Sequence, residues 1–315
     1  MKNIYVLVCL LVAAVLAGCS DSSANSEASN NSGDNYSITD FAGQEIVFEQ
    51  VPERIAALSN GEMDIIYALD GELVGRPSTD IGVPEGAEDV EQVGNTHGID
   101  LEKIASVQPE VVLGNVQMNS KDTASIHSLH AQMILTEANS IEDIQEQITL
   151  FGEMLKKQDK AEEINAEINE KIKALHKEDT EPVRTLLVYG APGTFMTALP
   201  NSLSGNILEA VGGENIASDF ESLEAYPQYA QLNTERIIEA NPQYILLMSH
   251  GDPEAVESGF IEEMEKNPAW NNLDAVKAGN IEVLPADLFG TNPGTRVMEA
   301  MELLEELLAT VQNES

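Results

Sequence analysis

The chain has 315 residues, with 54 Asp plus Glu against 16 Lys plus Arg, a formal net charge of -38 and 43% hydrophobic residues. A field of that sign repels nucleic acid and anionic membrane surfaces alike, and it suits a solvated acidic surface in a salty or alkaline medium. No stretch beyond the first twenty residues is long and apolar enough to span a bilayer.

The opening, MKNIYVLVCLLVAAVLAGCS, places Lys2 before an apolar run over 4 to 17 and then small residues, the order of an export signal over 1–18. Leu16, Ala17, Gly18 and Cys19 match the bacterial lipobox, in which the cysteine is acylated on sulfur and becomes the new amino terminus. Cys9 leaves with the signal, so Cys19 is expected to be the lone cysteine of the mature chain, with no internal disulfide. Residues 19–36 are rich in Ser, Asn, Asp and Gly and bury too little apolar surface to offset ordering entropy, so they read as a flexible tether. The expected location is the outer face of a cell membrane, held by lipid alone.

About 280 residues remain, enough for two lobes with cores of their own. RIAAL (54 to 58) reads as a strand, GEMDIIYALDG as a helix closed by Gly71, and ELVGRP as the next strand; the order recurs at TLLVY (185 to 189) and NILEAVGG (206 to 213). Strand, helix and strand in succession indicate α/β lobes with parallel-rich central sheets. DLEKIASVQPEVVLGN (100 to 115) and NTERIIEANPQYILLM (233 to 248) share a capped helix, a proline (Pro109, Pro242) and an apolar strand, which points to duplication of a lobe.

Between the halves, Ile141, Ile144, Ile148, Phe151 and Leu155 form one helical stripe, and Ala161, Ile164, Ile168, Ile172 and Leu175 a second. The register slips at Gln158, where Asp159 and Glu162 spell a capping box, so one helix is expected to end near Lys157 and a single long brace to start at 160. The expected segmentation is an N-terminal lobe over 37–158, an interlobe helix over 159–178 and a C-terminal lobe over 179–315. The last lobe is expected to close on an amphipathic helix at about 295 to 311.

The lipobox, tether, two lobes and bracing helix together resemble the substrate-binding lipoproteins of ABC importers, in the class that collects iron chelates, haem and cobalamin. YGAPGTFMTALPNSLSGNILEAVGGENI (189 to 216), LLMSHGDPEAV (246 to 256) and NPAWNNLDAVKAGNIEVLPADLFG (267 to 290) look most like the haem-receptor lipoproteins of the Gram-positive iron-regulated surface determinant system. The resemblance implies a class III binding-protein fold, haem as cargo, and delivery to a permease dimer with its ATPase. Upstream cell-surface haem proteins would be the donors. In that family a C-lobe histidine before a Gly-x-Pro-Glu run ligates haem iron, and His250 holds that place. The second ligand is a methionine in a Gly-x-x-Met loop; VGNTHGIDLEKI (93 to 104) puts His97 there instead. A histidine pair holds ferric haem more firmly than histidine with methionine and lowers its reduction potential.

The topology agrees with such a pair. In a parallel sheet, strand carboxyl ends and the amino ends of the following helices share one edge; His250 follows a strand and His97 precedes a helix. Haem needs one ligand on each face, about 4 Å apart through the iron if each bond is about 2 Å. Propionate donors are sought at Arg76 and in turns that follow strands, with Asn60, Gly61, Ser78, Thr79, Gly193 and Thr194 as candidates; the same turns also serve simply to reverse the chain. Phe289, with Phe195, Met196 and Met118, suits either an apolar wall or the core. His127 and His130 stand three apart on an expected helix, which reads as a solvated face rather than a metal site. By resemblance to cobalamin receptors, Glu91 and Glu235 are the expected permease-docking residues.

Two other readings compete. A ferric siderophore receptor would use the same fold with the chelator supplying every iron ligand. A metal-dependent hydrolase anchored to the envelope would need a motif such as His-Glu-x-x-His or Gly-x-Ser-x-Gly, and the sequence holds neither.

Overall fold

A computed structural model describes residues 35–79, 82–175, 180–191, 194–249 and 253–314. The expected signal, Cys19 and His176 lie outside the described residues. Tyr36, assigned above to the tether, instead opens a strand: β1 (Tyr36–Thr39) pairs antiparallel with β2 (Glu45–Phe48). Its hydroxyl donates to Met154 O at 2.6 Å and its ring stacks on Phe48 at 5.3 Å under the Lys156 ammonium, so the side chain has enough partners to order the backbone. Between the strands, Asp40 accepts from the backbone N–H groups of Ala42, Gln44 and Leu135, clamping the hairpin to the first lobe.

The first lobe follows as β3 (Ile55–Ala57), α1 (Asn60–Ala68), β4 (Gly75–Arg76), β5 (Glu91–Gln92), the small hairpin β6 (Gly94–Asn95) and β7 (Gly98–Ile99), then α2 (Leu101–Val107), β8 (Val111–Asn115), α3 (Val116–Asn119), α4 (Thr123–Ser128) and β9 (Gln132–Thr136). The sheet order is β5-β4-β3-β8-β9 with every pair parallel, and β3 and most of β8 are fully buried, as two-sided burial requires. Two details differ from expectation. The ELVGRP strand shrinks to two residues. The stop of α1 is Asp70, at φ 55, not Gly71; the Gly71 N–H bonds Ile66 O at 2.9 Å, and a Cβ on Gly71 would fall 2.9 Å from the Ile66 side chain.

Next come α5 (Ile141–Leu155), capped by Ser140, and the 18-residue α6 (Gln158–Leu175). The turn closes through Lys156 at φ 55, so α6 starts two residues earlier than expected and Asp159 lies in its first turn rather than forming a capping box. Its carboxylate still favours the positive end of the helix. Gly152 lets the two helices meet, since a Cβ there would be 2.5 Å from the Ala161 Cβ. Ala161, Ile164 and Ile168 are the buried stripe of α6.

The second lobe contains β10 (Val183–Ala191), β11 (Thr194–Ala198), α7 (Leu203–Ala210), β12 (Gly213–Asn215), β13 (Tyr229–Gln231), α8 (Thr234–Ala240), β14 (Tyr244–Ser249), α9 (Pro253–Glu265), α10 (Asp274–Ala278), β15 (Ile281–Val283), α11 (Ala286–Phe289) and α12 (Val297–Glu314). Strands β12, β10, β14 and β15 run parallel, while β11 pairs antiparallel with the end of β10 and β13 antiparallel with β11. Helix α6 packs on α5 at one side and α12 at the other, and so braces the lobes. No helix among the described residues is long and apolar enough to cross a membrane.

The duplication read from the sequence is present in detail. Asp100 and Asn233 cap α2 and α8 with their side chains, Gln108 and Asn241 end them at φ 46 and 45, and β8 and β14 follow as central strands. Even the hooks match. Arg54 Nε donates to Gln108 O at 2.8 Å, and Arg184 Nε and Nη2 donate to Asn241 O at 3.2 and 3.1 Å.

Candidate functional site

At the carboxyl edge of the first sheet, β3 runs through Leu58 into the cap of α1. Ser59 Oγ accepts from Glu62 N, and Glu62 Oε2 accepts from Ser59 N at 3.0 Å, a reciprocal box. Glu62 is 1% exposed, and its second oxygen accepts from Thr136 Oγ1 at 2.7 Å. Burial pushes its carboxyl up, against the opposing pull of the Thr136 and Ser59 hydrogen bonds. The turn at Asn60 and Gly61 is therefore first a helix cap.

His97 stands at the apex of the β6–β7 hairpin. Asn95 Oδ1 accepts from the backbone N–H groups of His97 and Gly98 at 3.1 and 3.2 Å, and Gly94 suits the turn because its φ is 96 and a Cβ there would sit 2.4 Å from Gly98 O. Neighbouring strand ends hold the hairpin on both sides. Ser78 N donates to Gly94 O at 2.7 Å and Asn95 Nδ2 to Ser78 O at 3.4 Å, while the fully buried Asn119, after β8, donates to Thr96 O at 3.2 Å. His97 is exposed on a mount tied to β4 and β8, with Ser78 and Thr79 half-buried beside it.

In the second lobe β14 ends at Ser249, and His250 lies outside the described residues, as does Gly193. Thr194 is exposed at the start of β11, opposite Ala191. Gly290 abuts the end of β14, where a Cβ would be 2.9 Å from Ser249 O, and two residues on Asn292 presses on Gly61 of α1, where a Cβ would be 2.3 Å from Asn292 Cγ. The end of β14 and the start of α1 thus converge through Gly290 and Asn292.

Several expected contacts are engaged elsewhere. Gly61 is buried against Asn292 rather than open to a ligand. Arg76 is 9% exposed and folds its guanidinium onto Pro77 O and Glu88 O at 3.2 and 3.5 Å, because β4 ends inside the lobe. Phe289 is 7% exposed and joins the core, since α11 packs on α12 and β14; Phe195 stacks edgewise on Phe260. His130 is not helical: α4 stops at Ser128 and His130 follows at φ 63, so it shares no helical face with His127. Among the described residues no group of three or more His, Cys, Asp or Glu could hold a metal ion.

Sequence reasoning missed the seam between the lobes. Asp64 Oδ2 accepts from Thr295 N at 2.6 Å and Thr295 Oγ1 at 2.7 Å, and burial raises its carboxyl pKa against those bonds. Arg296 is paired with Asp287 at 2.8 Å and Glu299 at 3.0 Å. A cavity of about 400 Å³ opens there, lined by Asn60, Met63, Asp64, Asp287 and Arg296 among others, within the range of small-molecule pockets. Asn60 Oδ1 is buried with no hydrogen-bond partner among the described residues. Only Asn60 had been singled out from sequence, through the Ser-Asn-Gly turn.

The sequence from Ile55 to Leu288 matches the family model described as periplasmic binding protein. The chain belongs to the periplasmic binding protein family. A heme uptake system protein of Staphylococcus aureus, IsdE, is 25% identical over 306 residues, 96% of each chain. Among solved structures, an ABC transporter substrate-binding protein from Listeria monocytogenes aligns with a TM-score of 0.71 and 27% identity over 82% of this chain and 99% of that one. S. aureus IsdE complexed with heme aligns with a TM-score of 0.71 and 25% identity, over 81% of this chain and 98% of its own. S. aureus SirA complexed with staphyloferrin B shares the fold with a TM-score of 0.72 at 20% identity, covering 87% of this chain and 98% of its own. The chain has the class III fold of that family, and His97 stands exposed on the small hairpin of its first lobe.

Proposed function

We propose that this periplasmic binding protein is an extracytoplasmic lipoprotein that captures haem between its lobes and hands it to an ABC permease driven by its ATPase. It binds and releases its cargo without turnover. The observation that carries this reading is the likeness to a heme-uptake protein over 96% of both chains, which extends through the segments on either side of position 250. His97, held outward by the Asn95 turn, serves as one axial ligand, and His250, directly after β14, serves as the other. Asn60, Ser78, Thr79, Gly193 and Thr194 border the porphyrin edge. In this reading the signal over 1–18 is removed, Cys19 is acylated, and a short tether ending before Tyr36 holds the protein at the outer face of the cell membrane, with the lobes divided by α6. Haem reaches it directly or from surface haem proteins.

Permease docking uses one acidic residue per lobe. The internal repeat supports Glu102 as the counterpart of Glu235: each is exposed, two residues after the capping side chain, in the first turn of α2 or α8. Glu91, expected from the sequence, is on β5 and paired with Lys103 at 3.1 Å.

A second reading is an iron chelate that brings its own ligands. Arg76 favours it, being turned away onto backbone carbonyls where a propionate partner was sought. Titration with hemin separates the two. The parent is expected to give a low-spin six-coordinate visible spectrum, and His97→Ala and His250→Ala each a five-coordinate or much weakened one. No Soret shift in the parent, with quenching of Trp270 emission by a ferric siderophore, would transfer the assignment to the second reading.

A further inference from the structure

Beside each of the two exposed glutamates the repeat places a cation, and each cation is occupied. Lys103 follows Glu102 and pairs with Glu91 from β5 at 3.1 Å. Arg236 follows Glu235 and pairs with the Asp219 carboxylate; it also donates to Asp219 O at 3.1 Å and lies over the Phe220 ring at 4.6 Å. The acids come from the same stage of the two halves, after the second parallel strand of each sheet: β4 in the first and, past the antiparallel β11, β12 in the second, each beside the repeat's first strand, β3 or β10. The chemistry is kept while the residues change, Lys with Glu in one lobe and Arg with Asp in the other. Surface ion pairs contribute little to stability, so recurrence at equivalent positions asks for another role.

We infer that Glu91 and Asp219 are positioning residues that neutralise Lys103 and Arg236, so that α2 and α8 present Glu102 and Glu235 as uncompensated negative charges to a basic, two-fold-related partner surface. Without the counter-ion, a mobile ammonium or guanidinium adjoining the glutamate would offset its charge and repel the basic pocket. A rim charge of that kind acts mainly on association rate and salt dependence. A partner with two equivalent basic pockets fits a surface that repeats one motif once per lobe. This inference rests on the docking reading given above, and it deepens it by naming what keeps each docking charge available.

The test is a charge cycle measured on the full-length protein with the permease–ATPase complex co-purified from its own membranes and reconstituted in nanodiscs at low salt. Glu91→Gln and Asp219→Asn are each expected to weaken docking by about three- to tenfold. Lys103→Gln and Arg236→Gln are expected to tighten it, and the doubles Glu91→Gln/Lys103→Gln and Asp219→Asn/Arg236→Gln to return it to within about twofold of the parent. High salt is expected to compress every difference. A purely structural pair would give weakening in all four single variants, and that pattern overturns the inference; thermal melting of each variant shows whether folding is at fault. If Glu102→Gln/Glu235→Gln weakens docking while Glu91→Gln and Asp219→Asn leave it unchanged, the neutralising role alone is wrong. If the glutamate double variant docks like the parent, the docking reading itself falls.

Discussion

Asp64 and Thr295 are 231 positions apart in sequence, yet one carboxylate oxygen takes both the backbone and the hydroxyl donor of the threonine. The pair joins α1 of the first lobe to the segment just before α12 of the second, beside the cavity at the seam. Asp64→Ala leaves two donors short of a partner in a half-buried place and is expected to cost about 1–3 kcal/mol. Thr295→Val removes one bond and should cost about 1 kcal/mol. Urea unfolding midpoints at unchanged slope measure both; an Asp64→Ala midpoint equal to the parent's would mean that the seam gains nothing from this bond.

Glu62 gives a pH dependence whose sign is fixed by its burial. Its carboxyl is raised in the folded state, so the folded protein holds that proton more firmly than the unfolded chain does. The contribution is complete below the ordinary carboxylate range and is lost as pH rises through the raised folded value. Glu62→Gln cannot ionise and escapes this loss. The melting temperature of the variant relative to the parent should therefore climb over the pH range from the ordinary carboxylate value up to the raised folded one. A constant difference across that range would show that Glu62 is already ionised throughout.

The paired hooks Arg54 and Arg184 predict near-equal effects in the two halves. Each donates to the carbonyl of the left-handed residue that ends its helix, and Arg54 also reaches Val107 O. Replacement by Met should cost about 1 kcal/mol per site, and the double variant about the sum, since the two share no partner. Gln108→Gly should stabilise by about 0.5–1 kcal/mol, whereas Asn241→Gly should destabilise, because asparagine tolerates a positive φ better than glutamine and its amide donates to Asp274 Oδ2 at 2.8 Å and accepts from Asp274 N at 3.0 Å. Chemical denaturation of the five variants checks the ranking.

The duplication was legible because periodicity, capping residues and the proline repeat in sequence, and those are local signals. The α/β order and the bracing helix followed from the same source. What escaped was long-range. Nothing near Gly61 announces that Asn292 will press on it, and Arg76 looks like an anion donor until the short β4 turns it onto Pro77 O and Glu88 O. Phe289 carries the same apolar signal whether it lines a wall or fills a core. The capping box at Ser59 and Glu62 was present in the letters, spelled Ser-x-x-Glu, but its buried link to Thr136 on β9 is a tertiary fact. Position 97 was singled out through resemblance alone, and the Asn95 turn that fixes its backbone appears only in three dimensions.

Gly61 is a contact through which the second lobe presses on the backbone of the first. It has no positive φ, so its constraint is space alone: an added Cβ would meet Asn292 Cγ at 2.3 Å and Nδ2 at 2.4 Å. Asn292 has little freedom to retreat, because Nδ2 donates to Gln147 Oε1 at 3.1 Å and Oδ1 accepts from Gly294 N at 2.9 Å. Gly61→Ala is therefore expected to cost about 1–3 kcal/mol by overpacking, more than the small helix-propensity gain of alanine offsets. Asn292→Ala, which removes the obstructing amide, should cost stability alone but make Gly61→Ala nearly neutral in its background. A double-mutant cycle by thermal or urea unfolding reads the coupling. Additive losses would show that the first turn of α1 yields to the extra methyl by some other movement, and that Asn292 does not set the approach of the lobes.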